Sequence, residues 1–174
     1  LVVLKFELFM NSFVFPGNIE SDILGISSLP IPYMRTSSFS SLVQDCESML
    51  LRLIGCPNGR VIFYTASGTG AMDAVVTNYV SLKHKAFVVA GGSFGYRWKS
   101  LCDYYDIDVD LYEVPFAKDI DYSDLEAKIA LSHPDVFLCQ QHETSTGQMF
   151  NLDKISYICK KYHVSLVVDA ISSF

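Results

Sequence analysis

Four short stretches of this chain hold the residues best suited to chemistry. They are Ser67-Gly68-Thr69-Gly70, Gly91-Gly92-Ser93-Phe94-Gly95, His142-Glu143-Thr144-Ser145-Thr146-Gly147, and Asp169 within SLVVDAISSF. Small residues that open a helix leave backbone amides free to hold an anion at the positive end of the helix dipole. An aromatic between small residues can stack on a planar ring. A carboxylate at the end of a buried strand needs a partner, and a protonated ring nitrogen is one. Hydroxyls at Thr144, Ser145 and Thr146 can meet a ring oxygen. Together these groups suit a phosphorylated aromatic ligand. Each also has a plainer reading: a helix cap for Ser67 or Thr69, core packing for Phe94, a turn-bonded loop for 144–146, and an N-cap for Asp169. His142 and Glu143 fit either chemistry or orientation of their loop.

The elements that must position these groups follow from hydrophobic spacing. SLPIPYMRTSSFS reads as an extended arm that ends in a helix start. Phe39, Leu42, Val43, Cys46, Met49, Leu50 and Leu53 then form one apolar helix stripe, closed by Gly55 and Pro57. Beyond it strands and helices alternate. Strands are expected at 60–66, 86–91, 109–114, 135–141 and 164–169. Helices are expected at 68–82, 94–105, 122–132 and 152–163, with Ser123 and Glu126 spaced for a capping box. This alternation predicts an α/β fold in three layers, a mostly parallel sheet flanked by helices. Ligands in such sheets sit beyond the carboxyl ends of the strands, where the four stretches fall.

Composition narrows the function further. The net charge of −6 argues against a nucleic-acid backbone as partner. The five cysteines lack CxxC spacing and read as buried thiols of a reducing, cytoplasmic protein. The four histidines show no metal-ligand spacing, so no metal is expected. LVVLKFELFM is too short to span a bilayer, and no membrane partner is expected. Residues 1–9 read as upstream of a natural start at Met10, or as an edge strand. A dinucleotide-binding oxidoreductase is disfavoured: Asp73 stands where GTGAMD would need a third glycine, and AFVVAGG ends without a ribose-binding acid.

In order and spacing, TASGTGAMDAVV, GGSFGYRW, HETSTGQ and LVVDAISS resemble the class V aminotransferases, pyridoxal-phosphate enzymes of the aspartate-aminotransferase fold. The resemblance runs from about YMRTSSFSSLVQDCESML to the last residue. It implies pyridoxal 5′-phosphate as cofactor, with its phosphate on Ser67, Gly68 and Thr69. It implies Phe94 stacked on the ring, Thr144 at the ring edge near the phenolic oxygen, and Asp169 paired with the ring nitrogen. It implies transfer of an amino group from a small amino acid to an α-keto acid, by a homodimer when full length. The family's Schiff-base lysine lies after the strand that follows the Asp. Lys154, Lys160 and Lys161 lie before the final strand, outside that motif. The chain therefore reads as the N-terminal portion of an enzyme, inactive alone: an arm at 1–36 and a partial cofactor-binding large domain at 37–174, without the small C-terminal domain. Tyr33 and Arg35 of the arm could face the site or pack on a neighbour. The same fold also hosts lyases, desulfurases and kynureninase-like hydrolases; Phe94 favours transamination over desulfurases, which place a His there. A non-catalytic fragment acting by binding or assembly is the alternative from another class.

Overall fold

The computed structural model describes residues 19–174, so the readings of residues 1–9 and of Met10 lie outside the described residues. The chain divides between Ile62 and Phe63 into two compact units. In the first, a short helix α1 (Ser21–Ile26) forms inside the stretch read as an arm. Its opening bonds are wholly local, Ile23 and Leu24 donating to the Glu20 carbonyl at 3.0 Å. Helix α2 (Ser37–Leu53) follows the expected stripe. Thr36 caps it, accepting from the Phe39 amide at 3.3 Å. Gly55, at φ +67°, closes it in the left-handed region that glycine tolerates.

The second unit carries α3 (Gly68–Asn78), β1 (Lys85–Ala90), α4 (Ser93–Tyr104) and β2 (Asp108–Glu113). Then come α5 (Tyr122–Ser132), β3 (Val136–Gln140), the two-residue strands β4 (His142–Glu143) and β5 (Gln148–Met149), α6 (Leu152–Lys161) and β6 (Ser165–Asp169). The main sheet has the order β2-β1-β3-β6, all parallel, as alternation with crossover helices requires. β4 and β5 form a separate antiparallel ribbon.

Period-2 alternation within the central strands builds the two cores. Phe87 and Val89 of β1, with Phe137 and Cys139 of β3, face Leu125, Ile129, Ile155 and Ile158 of α5 and α6. Ala86, Val88, Val136 and Leu138 face Met72, Val76, Trp98 and Cys102 of α3 and α4. β1 and β3 are buried on both faces, which explains their unbroken apolar runs. This is the expected three-layer architecture.

Two local readings are corrected. Residues 60–66 form no strand. A strand needs a ladder for its backbone groups, and no described segment pairs with this one; Ile62, Phe63 and Tyr64 stand exposed. Ser123 does not open a capping box either. Asp121 is the N-cap of α5, its carboxylate accepting from the Ser123 and Asp124 amides at 3.0 and 3.1 Å, while Glu126 pairs with Lys161 instead.

Candidate functional site

Strand order reverses between β1, which is followed by β2 on one side, and β3, which lies on the other. The connections leaving β1 and β3 therefore part company and open a crevice at the carboxyl edge. The four chemistry-bearing stretches stand at this edge, all within the second unit.

Ser67 occupies the N-cap position of α3, yet its side chain makes no capping bond, and the first turn contains no acid. The opening amides are thus left without an internal anion. Thr69 Oγ1 accepts from the Arg97 guanidinium at 2.7 Å. That guanidinium lies 5.6 Å from the centre of the Phe94 ring, one turn earlier on α4. Phe94 is half-buried and belongs to neither core, so it is not a packing residue. Its amide points to Glu143 at 3.4 Å.

The loop after β3 divides its hydroxyls. Ser145 donates to Glu143 at 2.5 Å and accepts from the Ser93 amide at 2.9 Å. Thr146 donates to the Gln148 side chain at 3.0 Å. Thr144 shares a 2.7 Å hydrogen bond with Ser172, just past Asp169. Asp169 ends β6 opposite Gln140. One carboxylate oxygen accepts from the Ile171 amide at 3.0 Å, a local turn bond; among the described residues the other oxygen has no partner. Ile171 returns to the α3 opening, where a Cβ on Gly68 would lie 3.0 Å from its Cδ1. These contacts, together with the chain links Gly68-Thr69, Glu143-Thr144 and Ile171-Ser172, close a ring that runs through Gly68, Thr69, Arg97, Phe94, Glu143, Thr144, Ser172 and Ile171, with Asp169 bonded to it at Ile171.

All six site residues named from sequence, Ser67, Gly68, Thr69, Phe94, Thr144 and Asp169, therefore stand on or beside one ring of contacts. The donor set fits a phosphorylated pyridine: free amides with an adjacent guanidinium for the anion, an aromatic face, and a carboxylate with an open oxygen. An apolar cavity of about 360 Å³ adjoins it, walled by Gly68, Met72, Trp98, Val167, Asp169 and Ile171. Sequence reasoning passed over Arg97. Its signal was the three-residue step from Phe94, which puts both on one helix face. Lys154, Lys160 and Lys161 all lie on α6; Lys154 Nζ stands 4.7 Å from the centre of the Tyr122 ring, and Lys161 pairs with Glu126 at 2.6 Å.

Residues 32–174 match the family described as Aminotransferase class-V, and the chain belongs to that family. Its cofactor is pyridoxal 5′-phosphate. An uncharacterized aminotransferase of Methanocaldococcus jannaschii is 28% identical over 168 residues, 91% of this chain and 41% of that protein. The small subunit of a soluble hydrogenase of a Synechococcus species is 30% identical over 158 residues, 88% of this chain and 41% of that protein. Among solved structures, alanine–glyoxylate aminotransferase of a Nostoc species superposes with a TM-score of 0.84 at 23% identity, covering 91% of this chain and 42% of the other. The chain thus spans about two fifths, 41%, of the length of these curated relatives. Among the described residues, no helix is long and apolar enough to cross a membrane.

Proposed function

We propose that this chain is the cofactor-holding part of a pyridoxal-phosphate-dependent aminotransferase, which moves an amino group from a small amino acid to an α-keto acid. The observation that supports this most is the ring of contacts joining the α3 opening, Phe94, Thr144 and Asp169. The cofactor, when bound, supplies an electron sink for charge that develops at the substrate α-carbon. The chain's own residues prepare that sink. Asp169 would keep a proton on the ring nitrogen through its open carboxylate oxygen. Gly68, Thr69 and Arg97 would hold the phosphate, and Phe94 would cover one face of the ring against water. Thr144 would offer its hydroxyl at the ring edge.

The remainder of the activity lies outside these residues on this reading. By resemblance to the family, the Schiff-base lysine is expected after the strand that follows Asp169. The 174-residue chain assayed alone is expected to turn over negligibly. The full-length protein is expected to be a cytoplasmic homodimer.

The test is to purify the full-length protein with pyridoxal phosphate and assay amino transfer from a panel of small amino acids to pyruvate and glyoxylate. Retained cofactor with ping-pong transfer supports the reading. Retained cofactor with elimination or desulfuration products makes the protein a lyase of the same fold. Failure to retain cofactor overturns the reading.

A further inference from the structure

Glu143 is the one fully buried carboxylate among the described residues, with no accessible surface. All five of its polar contacts are donors. Oε1 accepts from the Phe94 amide at 3.4 Å, the Ser145 amide at 3.2 Å and the Ser145 hydroxyl at 2.5 Å. Oε2 accepts from the Gly95 amide at 3.0 Å and the Gln140 side-chain amide at 2.9 Å. A group that only accepts, at both oxygens, is used as a carboxylate. No lysine or arginine pairs with it among the described residues. Backbone amides at the start of α4 take that place, where the helix dipole favours negative charge.

The placement is unusual because α4 does not cap itself. Its N-cap, Gly92, has no side chain, and its first turn has no acid. The cap is delivered from another strand tip, 48 residues away in sequence. Ser145 closes the arrangement by bridging Glu143 to the Ser93 amide at 2.9 Å. A Cβ on Gly92 would run into Ser145 Oγ and lie 2.8 Å from Glu143 Cδ, so the two loops touch with no room to slide.

Resting on the reading above, we propose that Glu143 is a positioning residue: its carboxylate locks the Phe94 turn of α4 to the 143–145 turn. The aromatic face and the Thr144 hydroxyl are thereby presented to the cofactor ring as one rigid unit. Glu143 does not touch the ring; it acts through Phe94.

A double-mutant cycle in the full-length protein tests this, with the dissociation constant for pyridoxal phosphate as readout. Glu143→Gln puts an NH₂ where donors converge and should weaken binding about tenfold, with the secondary structure retained. In a Phe94→Leu background the same change should add less than about threefold, because the platform it positions is already gone. An equal, multiplicative loss in both backgrounds would mean a general structural role and overturns the proposal. If Glu143→Gln does not fold, Ser145→Ala replaces it in the same cycle, with the same non-additivity expected and full additivity overturning. The unaltered protein serves as the separate control. If it binds no cofactor, the functional reading falls; if it binds and Glu143→Gln binds equally well, the Glu143 assignment alone falls.

Discussion

Arg97 donates to Thr69 Oγ1 at 2.7 Å, joining the second turn of α4 to the first turn of α3 across 28 residues of sequence. The guanidinium thus stands beside the free amides of the α3 opening while its other flank meets the Phe94 ring. One side chain serves both the anion cradle and the aromatic platform.

Replacing it should separate those two duties. Arg97→Ala in the full-length protein should weaken pyridoxal phosphate roughly tenfold, the scale of one partly exposed charge-assisted hydrogen bond. Pyridoxal without its phosphate should be affected far less. Equal losses for the two ligands would show that Arg97 does not serve the anion.

Asp169 offers an open carboxylate oxygen at the tip of β6. Asp169→Asn keeps the shape and removes the charge, so cofactor binding should fall roughly 10- to 100-fold and amino transfer at least as far. The denaturation midpoint should move little, since the one side-chain bond of Asp169 in the described structure, accepted from the Ile171 amide, can still be accepted by the Asn oxygen. A large stability loss with normal activity would contradict the role.

Gly95 is required by close packing. A Cβ there would lie 2.5 Å from Ala90 Cα and 2.9 Å from the Val89 carbonyl, both backbone atoms that cannot yield. Gly95→Ala should destabilise by about 1–3 kcal/mol, the usual range for overpacking. Chemical denaturation reads this directly, and a neutral substitution would show that β1 and α4 are not held this close.

Alkaline pH should weaken the fold through its buried thiols and one phenol. Burial pushes Cys102 from 9.0 up to about 11 and Cys159 up to about 12. Burial likewise pushes Tyr112 from 10.0 up to about 12. Between those ordinary and raised values the unfolded chain releases protons that the folded chain keeps, so stability falls as pH rises. These groups leave stability unchanged below about pH 8 and lower it steadily above about pH 9. Denaturation at about pH 8 and about pH 10 should show the drop, and Cys102→Ala should reduce it. Exposed Cys56 should react with a thiol reagent in the native state while Cys139 stays protected until unfolding.

The local elements were legible because period and punctuation are local. The α5 range of 122–132 matches the observed Tyr122–Ser132, and the tips of β1, β2, β3 and β6 fall where alternation put them or one residue earlier. The polarity of a parallel sheet then sends every tip to one edge, so the grouping of Phe94, Thr144 and Asp169 follows from element order, whereas Gly68 opens a helix that no strand precedes among the described residues. Residues 60–66 show the opposite case. Their β-branched and aromatic residues carry strand propensity, but a strand exists only with a partner ladder. Asp121 displaced Ser123 as the α5 cap because a cap is chosen by where the backbone leaves the helix, which spacing leaves uncertain by a residue or two.

The sequence by itself determined which side chains reach the carboxyl edge, since strand and helix periods set direction and order. Only the tertiary structure decided how they hold one another. The Glu143 bond to the Gly95 amide, the Ser145 bond to the Ser93 amide and the Arg97 bond to Thr69 span 48, 52 and 28 residues. Such bonds depend on how loops dock after the sheet has formed, and no local pattern encodes that docking.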